Sequence, residues 1–415
     1  MQTPTELAYE NLDKIIKDIY ASKPNTSLRR QESFMYAGQA FLKPFPSYFM
    51  SLESSKTWTF FWNTLTIKVV GGRLDEQMSK VVVQSLKELQ YNEKYQGWLG
   101  FDYIPHLAST YAAVHALCNI ATEDAYKLIN VDQLLVFFVL VKQTNGGFLM
   151  HVDGELDVRG TYCVLSILDL LQVHKTPKYS EKLTIILDNV VTFLQRCQTH
   201  QGGFGSIPGL EAHGGYTHCA YMSLEILERW SMECCLELKT NLPSFKVKDV
   251  INISLLRKWC ALRVDWSGGI TGRTNKLVDV CYSFWIGSLL MSLNVFPTST
   301  PLVDTNNTNN TPVTIHERLQ QFIAVISASP IQDQASNNPI KRGGGFRDKP
   351  HKGVDYNHTS YALAGWSCFQ QKSTELGYSI IGGKENELNA INKQHNSLCS
   401  DVDRMKQYFA SFNMS

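Results

Sequence analysis

The fold is decided by the stretch SGGITGRTNKLVDVCYSFWIGSLL, which covers residues 267–290. It joins a glycine before a bulky residue, a polar loop and an apolar helical segment. Copies of this unit also occur at 96–117, 145–168, 201–227 and 343–366. The glycine before the bulky residue falls at 97, 147, 203, 269 and 345, so the copies are 50 to 76 residues apart. Recurrence of one unit along a chain indicates a repeat architecture.

The segments between the copies are also helical. KLTIILDNVVTFLQRCQ, at 182–198, has apolar residues at three- and four-residue spacing, and no alternating strand pattern runs for a useful length. Helical hairpins of this kind either stack as an open solenoid or close into a ring with inner and outer layers. A closed ring gathers the polar loop residues at one rim, which suits chemistry better. The sequence therefore predicts an all-α chain that forms an α–α barrel (α/α toroid) of helical hairpin repeats.

Composition narrows the classes of function. Lys and Arg number 39 against 38 Asp and Glu, so the net charge of +1 provides no general attraction to nucleic acid or to an anionic membrane. The densest apolar run, 131–141, is too short to span a bilayer. The amino terminus lacks a signal-peptide pattern, and ten scattered cysteines suit a reducing compartment. We therefore expect a cytoplasmic protein.

The repeat predicts a single catalytic domain over residues 1–415. Asn, Thr and Pro dominate 296–315, which indicates a surface loop insertion. A polar stretch at 367–400 is expected to wrap the outside, and VDRMKQYFASF at 402–412 is expected to form a closing helix.

The densest group of chemically active residues lies at 272–285. Asp279 and Cys281 would point about 200° apart on a regular helix. If both serve one site, Asp279 must lie in the turn and Cys281 near the first helical residue. A carboxylate and a thiolate, with His358 from the next repeat, could bind zinc and leave one position open. The alternative is a buried cysteine beside a capping aspartate.

EAHGGYTHCA, at 211–220, is the second group. The ring of His213 and nearby backbone N–H groups could bind an anion. With Arg273, Lys276 and Tyr282 they could form a pyrophosphate site that combines bidentate and point-charge donors. The alternative is that His213 caps the helix that follows it.

Aromatic residues accompany the glycine loops. In a closed ring they could line one cavity, although core packing is the usual role of aromatic residues at helical spacing. They are Trp58, Trp62, Tyr111, Tyr162, Tyr216 and Trp285.

Four motifs, FLMHVDGELDVRGTYC, EAHGGYTHC, GRTNKLVDVCYSFW and GGGFRDKPHKGVDYNHTSYALAG, occur in this order. From about residue 45 to 366, and again at the final helix, the chain resembles the β subunits of protein farnesyltransferases, within the protein prenyltransferase β family. The family fold is an α–α barrel. The resemblance implies transfer of farnesyl from farnesyl diphosphate to the cysteine thiol of a C-terminal CaaX motif, with zinc activating the thiolate.

The resemblance also implies roles for individual residues. One zinc ion per chain would be held by Asp279, Cys281 and His358, and magnesium by Asp348. The diphosphate would be bound by His213, Arg273, Lys276 and Tyr282. The isoprenoid channel would be lined by Arg159, Tyr162, Gly215, Tyr216, Cys219 and Trp285, with Trp58 at its floor; Trp62, from the aromatic group, is a further candidate substrate-binding residue. The terminal carboxylate of the peptide would be held through water by His106, Glu155 and Arg159.

Two positions favour farnesyl over geranylgeranyl. Trp58 aligns with the residue at the cavity floor, where geranylgeranyl-transferring relatives carry a smaller side chain, and Asp348 stands where those relatives tend to have a lysine. Asn357 departs from the family, which usually has a tyrosine there that touches the last residue of the peptide. Val354 replaces a usual basic residue nearby. These departures predict a preference for the final CaaX residue that is broader or shifted toward larger side chains.

The resemblance implies a heterodimer with a farnesyltransferase α subunit, which contributes a lysine to the diphosphate, and CaaX-terminated substrates such as small GTPases. The main alternative is a geranylgeranyltransferase type I β subunit. A terpene cyclase would need a DxDD or DDxxD motif, and the sequence contains neither. A non-catalytic helical scaffold predicts that no zinc is bound.

Overall fold

A computed structural model describes residues 2–22, 24–42, 56–90, 104–233, 244–295, 314–376 and 379–413. The repeat glycine at 97 and the predicted insertion at 296–315, apart from its last two residues, lie outside the described residues.

The described chain is helical apart from two short paired strands. The helices are α1 (Pro4–Ala21), α2 (Arg30–Leu42), α3 (Lys56–Val69), α4 (Glu76–Leu89), α5 (Leu107–Ile120), α6 (Glu123–Tyr126), α7 (Val131–Val141), α8 (Val158–Leu170), α9 (Ser180–Leu187), α10 (Val190–Cys197), α11 (Gly214–Glu233), α12 (Val247–Val250), α13 (Ile253–Ala261), α14 (Tyr282–Trp285), α15 (Gly287–Ser292), α16 (Ile315–Gln321), α17 (Tyr356–Leu376) and α18 (Cys399–Asn413). Single 3₁₀ turns occur at Val173–Lys175, Pro177–Tyr179 and Lys384–Asn386, a π-helical turn at Phe322–Ser327, and the strands are β1 (Ile391–Asn392) and β2 (Ser397–Leu398).

The chain divides into two compact units. Unit 1 comprises Met1–Gln39, Thr66–Arg73 and Arg257–Ile391, and unit 2 comprises Ala40–Leu65, Leu74–Leu256 and Asn392–Ser415. In unit 2, α8 packs between α5 and α11, and α18 packs on α5 and α8. In unit 1, α17 packs against α14, α15 and α16. Within each unit, the helix that follows one glycine loop therefore packs on the helix that follows the neighbouring loop. The single domain over 1–415 stays a prediction.

Each described loop starts with the same bridge. The bulky residue after the glycine forms an isolated antiparallel bridge with the end of the preceding helical segment, and this residue is buried in every case. The bridges are Lys142↔Phe148, Gln198↔Phe204, Val264↔Ile270 and Ala328↔Phe346. The bulky residue thus anchors its loop in the core, while the polar residues after it stay nearer the surface.

In three repeats the position that only glycine can occupy is the first glycine of the Gly-Gly pair. The repeat pattern in the sequence is defined by the second glycine, which directly precedes the bulky residue. The φ angles are 99° at Gly146, 106° at Gly202 and 82° at Gly268. A Cβ on each would lie 2.1 to 2.2 Å from a backbone carbonyl oxygen at or near the start of a later helix, namely those of Asn189 before α10, Leu255 in α13 and Arg318 in α16. Only glycine accommodates both the backbone conformation and this close approach.

The carboxy-terminal region differs in part from the predicted surface wrap. Helix α17 extends to Leu376, so residues 367–376 belong to a helix. The closing helix predicted at 402–412 lies within α18, Cys399–Asn413.

We expect Gly202→Ala to lower the free energy of unfolding by about 3 kcal/mol, because the new Cβ overlaps the Leu255 carbonyl and alanine is strained at positive φ. Gly209→Ala is the matched control: its φ is 89°, but a Cβ there meets nothing within 4 Å. It should cost only about 1 kcal/mol. Urea unfolding of the two variants measures the difference, and equal losses would contradict the close approach.

Candidate functional site

The fourth glycine loop places two metal-binding side chains side by side. Asp279 lies in the loop, and its Oδ1 accepts a hydrogen bond of 2.8 Å from the backbone N–H of Cys281. Cys281 directly precedes α14. This confirms the condition set by the sequence, with Asp279 in the turn and Cys281 at the start of the helix. The tight turn lets both side chains face one point, which a continuous helix would prevent.

His358, in the first turn of α17, completes the group. One donor atom from each of Asp279, Cys281 and His358 lies within 4.8 Å of the others, and His358 Nε2 is 3.5 Å from Asp279 Oδ1. A tetrahedral zinc site with bonds of about 2.0–2.3 Å separates its ligand atoms by about 3.3–3.8 Å. The donor set fits zinc, and the 3.5 Å between His358 Nε2 and Asp279 Oδ1 lies in this range. Three protein ligands would leave a fourth position for another ligand.

Asp355 holds the histidine ring, and the sequence analysis missed it. Its Oδ2 lies 2.5 Å from His358 Nδ1, and its Oδ1 accepts a 2.8 Å hydrogen bond from the His358 backbone N–H. The signal was an aspartate three residues before a histidine at a helix start, where a capping residue is expected. The carboxylate fixes the ring so that Nε2 faces Asp279, as supporting residues of metal-binding histidines commonly do.

The charges of the group favour a cation. Burial lowers the pKa of His358, but hydrogen bonds to Asp279 and Asp355 outweigh it and raise the pKa to about 10. Burial, then the charge of Asp279, raises the pKa of Cys281 well above its usual value. A divalent ion bound here would therefore release protons from the imidazole and the thiol.

Asp348 lies beside this group. Its backbone carbonyl accepts a 3.0 Å hydrogen bond from the Val280 N–H, which ties the fifth loop to the fourth. One carboxylate oxygen forms an ion pair with Lys349, and the other is buried without a hydrogen-bond partner among the described residues. Burial, with the charge of Asp279, raises the pKa of Asp348. A buried carboxylate oxygen without a donor fits a ligand for magnesium.

The predicted diphosphate residues of unit 1 surround the same loop. Tyr282 begins α14, and its ring covers Gly272, where any side chain would overlap it. Burial raises the pKa of Tyr282 and outweighs the opposing charge of Arg273. Arg273 is half-buried and Lys276 is exposed, and Lys276 lines a groove of about 660 Å³ together with residues of α1.

The aromatic residues of unit 2 form a continuous wall. The Trp58 ring centroid lies 5.6 Å from Trp62 and 5.8 Å from Tyr111, and the Tyr111 and Tyr162 centroids are 5.5 Å apart. Trp62, Tyr111 and Tyr162 are buried, whereas Trp58 is half-buried. Trp58 is therefore the member of this wall with the most surface left for a ligand.

Unit 2 also holds the predicted carboxylate-binding residues. Arg159 donates hydrogen bonds to the Asp157 carboxylate, of 3.0 Å from Nε to Oδ1 and 2.6 Å from Nη2 to Oδ2. Arg159 Nη2 also lies 3.6 Å from Glu155 Oε1. The His106 ring lies 5.6 Å from that of His151. Asp157, which is 4% exposed and also caps α8, was missed by the sequence analysis.

His213 caps helix α11, as the alternative interpretation predicted. Its Nδ1 accepts a 3.0 Å hydrogen bond from the Gly215 N–H. A neutral imidazole that accepts at Nδ1 carries its proton on Nε2, so capping is compatible with donation to an anion. Its ring is 5.1 Å from Tyr216, which also lies 5.9 Å from the Arg159 guanidinium. Burial raises the pKa of Cys219 well above its usual value, which makes this thiol unreactive.

The structure distributes the predicted site residues between the two units. Unit 1 contains Arg273, Lys276, Asp279, Cys281, Tyr282, Trp285, Asp348, Asn357 and His358. Unit 2 contains Trp58, Trp62, His106, Glu155, Arg159, Tyr162, His213, Gly215, Tyr216 and Cys219.

Comparison with known proteins gives the family. The model of the prenyltransferase α–α toroid domain matches residues 28–399. The chain therefore belongs to the prenyltransferase α–α toroid family and is a prenyltransferase. The predicted all-α toroid fold is confirmed. No helix among the described residues is long and apolar enough to cross a membrane.

The relatives narrow the class and confirm the resemblance seen in the four motifs. The chain is 32% identical to the protein farnesyltransferase subunit beta of Saccharomyces cerevisiae, over 98% of this chain and 86% of that protein. It is 28% identical to the same subunit of Arabidopsis thaliana, over 94% and 85%. The geranylgeranyl transferase type-1 subunit beta of Arabidopsis thaliana is 36% identical over 45% of each chain.

A solved structure shows the same fold. Candida albicans protein geranylgeranyltransferase-I, complexed with GGPP, matches with a TM-score of 0.65 and 19% identity, over 92% of this chain and 99% of that one.

We expect Asp355→Asn to weaken zinc affinity about 10- to 100-fold, because the amide can still accept from the His358 backbone but no longer fixes the ring by charge. Asp265→Asn is the matched control in unit 1, since Asp265 also accepts from a backbone N–H, of Ser267, and from a side chain, of Tyr9. Chelator competition measures the affinity. An unchanged affinity in Asp355→Asn would remove Asp355 from the metal site.

Proposed function

We propose that the chain is the catalytic β subunit of a protein farnesyltransferase, which transfers farnesyl from farnesyl diphosphate to the cysteine thiol of C-terminal CaaX motifs. The observation that carries this proposal is the convergence of Asp279, Cys281 and His358 within 4.8 Å in a member of the prenyltransferase family. Relatives named as farnesyltransferase β subunits, which align over most of the chain, support farnesyl as the transferred group.

Asp279, Cys281 and His358 would hold one zinc ion. Zinc bound there supplies a lowered pKa for the thiol of the peptide cysteine, so that thiolate is available at neutral pH. The protein's part is to hold the donor set in place. The Asp279 turn orients Cys281, and Asp355 orients His358, so both side chains are held facing the same point.

The diphosphate would be bound by His213, Arg273, Lys276 and Tyr282. Negative charge grows on the bridging oxygen as the bond to the farnesyl carbon breaks, and positioned donors stabilise that charge. The raised pKa of Tyr282 keeps the phenol protonated, which makes it a hydrogen-bond donor at neutral pH. The Asp348 oxygen that has no hydrogen-bond partner in the described part of the chain supports magnesium as a further counter-charge.

Trp58 would form the floor of the farnesyl pocket. Its indole is the half-buried end of the aromatic wall, and an additional isoprene unit would overlap it. A pocket discriminates against a ligand that lacks one methylene group by about 1–3 kcal/mol, and the steric overlap of a whole isoprene unit should cost more free energy than this. The alternative donor is geranylgeranyl diphosphate, which the partial match to a type-1 subunit keeps as the second candidate.

The peptide carboxylate would be bound through water by His106, Glu155 and Arg159. A water-mediated contact leaves the bonds between Arg159 and Asp157 intact. Asn357, one residue before His358 in α17, would give more room to the last residue of the peptide than the usual tyrosine.

We further propose that the chain works as a heterodimer with a farnesyltransferase α subunit and acts on CaaX-terminated proteins such as small GTPases. The ten cysteines without a disulfide-like spacing support the cytoplasm as the compartment.

Trp58→Ala should raise kcat/KM for geranylgeranyl diphosphate relative to farnesyl diphosphate by at least about tenfold, because the floor of the pocket recedes. Trp266→Ala is the control, since Trp266 lies in unit 1 beside α1, where its Nε1 donates to Asp13. Steady-state kinetics with both donors measures the ratio. A ratio unchanged in Trp58→Ala would place the floor elsewhere.

The function is tested by co-expression with a farnesyltransferase α subunit and transfer of labelled farnesyl or geranylgeranyl to CaaX peptides that differ in the last residue. Cys281→Ala should lose both transfer and bound zinc, whereas Cys260→Ala, which removes a buried thiol elsewhere in unit 1, should keep them. A preference for geranylgeranyl would favour the alternative donor. Absence of transfer with either donor, and of zinc, would contradict the proposal.

A further inference from the structure

A buried carboxylate anchors the carboxy-terminal segment to unit 2. Asp169, near the end of α8, is 0% exposed and accepts four hydrogen bonds or ion pairs. Its Oδ1 lies 2.8 Å from both Trp230 Nε1 and Arg229 Nη2. Its Oδ2 lies 2.9 Å from His395 Nε2 and 2.6 Å from Lys406 Nζ. The last two partners belong to the carboxy-terminal part of the chain.

The charges keep this anchor ionised. Burial would raise the pKa of Asp169, but the hydrogen bond from His395 and the positive charges of Lys406 and Arg229 outweigh it and hold the pKa well below its usual value. Breaking a buried ion pair by removing one partner leaves an uncompensated charge, which is strongly destabilising. Removal of any one of these partners is therefore expected to loosen the segment.

A chain of hydrogen bonds fixes the His395 ring as well. Burial lowers the pKa of the His395 ring despite the charge of Asp169, which favours the neutral ring. With Nε2 donating to Asp169, Nδ1 accepts from Ser166 Oγ at 2.9 Å. Ser166 Oγ lies 3.2 Å from His115 Nε2, and His115 Nδ1 lies 3.2 Å from Ser397 Oγ.

The order Asp169–His395–Ser166 resembles a hydrolytic triad, but its geometry excludes that role. Ser166 lies within α8 and is 0% exposed, and His395 and Asp169 are equally buried. A nucleophile must reach a substrate. These residues therefore act on the structure around them.

That structure is the aromatic wall. Tyr162 Oη donates a 2.8 Å hydrogen bond to the backbone carbonyl of Gln394, and Tyr111 Oη lies 3.3 Å from the carbonyl of His395 and from Tyr162 Oη. The Trp58 ring packs on Tyr111. The segment that Asp169 anchors thus holds the hydroxyl ends of both phenol rings behind Trp58.

The helix register explains why anchor and wall are joined. Tyr162, Ser166 and Asp169 are four and three residues apart on α8, so they share one face of the helix. Tyr111 and His115 are four apart on α5. Residues 392–398 lie along these faces of α5 and α8. They connect the aromatic residues Tyr111 and Tyr162 with the buried charge of Asp169.

We infer that residues 392–398, anchored through His395 and Asp169, are a positioning element of the prenyl pocket and help to set the length of prenyl chain that it accepts. This inference rests on the proposed function. None of these anchoring residues belongs to the aromatic wall itself, and they act through Tyr111 and Tyr162.

Two variants test the inference in the heterodimer with the α subunit. Asp169→Asn removes the charge of the anchor, and Tyr162→Phe removes the hydroxyl that binds the Gln394 carbonyl. Each should shift the ratio of kcat/KM for farnesyl against geranylgeranyl diphosphate about tenfold toward the longer donor, with the KM for peptide unchanged. Because both substitutions disturb the same contact, their effects should not add. The double variant should have the same donor ratio as either single variant.

Leu183→Ala is the control for destabilisation alone. Leu183 is fully buried in α9, which packs on α7, and its truncation should lower the melting temperature without changing the donor ratio.

The outcomes separate the inference from the function on which it rests. A wild type that transfers farnesyl, together with variants whose donor ratio stays within about twofold of wild type, overturns the inference alone. If Asp169→Asn does not fold, the donor ratio of Tyr162→Phe alone tests the inference. A wild type that neither binds nor transfers either donor overturns the proposed function and the inference with it.

Discussion

The close approach of two backbones at the glycine turns is the constraint on which the structure depends. At Gly146, Gly202 and Gly268 the chain turns with positive φ directly against a carbonyl oxygen near the start of a later helix. A side chain at any of these positions would push that helix away from the loop. Because each of these loops starts from this fixed point, the residues of its following part are placed reproducibly, and the candidate residues Arg159, His213, Asp279 and Cys281 lie in these parts of the repeats.

A second device recurs where function is expected. An aspartate at the start of a helix accepts a backbone N–H and, in two cases, also holds a functional side chain. Asp157 caps α8 and pairs with Arg159, and Asp355 caps α17 and holds His358. Asp279 bonds the backbone of Cys281 and offers its own carboxylate to the metal group. The aspartate that caps a helix thus also orients a functional side chain. No further residues are needed to hold that side chain in place.

The sequence predicted what is local or repeated. The helical hairpins follow from periodicity. The neighbouring repeats indicated Asp279, Cys281 and His358 as one possible metal group, and the family resemblance implied them as the zinc ligands. The sequence pattern emphasised the second glycine of each pair, because that glycine precedes a recognisable bulky residue. The need for the first glycine comes from a carbonyl oxygen that lies close to it in the folded chain, and the sequence does not show this contact. The anchor of Asp169 was not predictable either: His395 is 226 residues away, and no short-range pattern links a buried aspartate to so distant a partner.

The position of this anchor in the chain has a consequence for biosynthesis. Segments of a protein emerge from the ribosome in order, and the amino-terminal parts fold first. Helices α5, α8 and α11 are complete long before His395 and Lys406 leave the exit tunnel, so in the nascent polypeptide Asp169 can pair with Arg229 and Trp230 of α11 but still lacks its two carboxy-terminal partners. A product of premature termination before residue 392 would contain every candidate zinc ligand and yet leave Asp169 Oδ2 without both of its partners, so it would carry the candidate metal site on an incompletely stabilised fold.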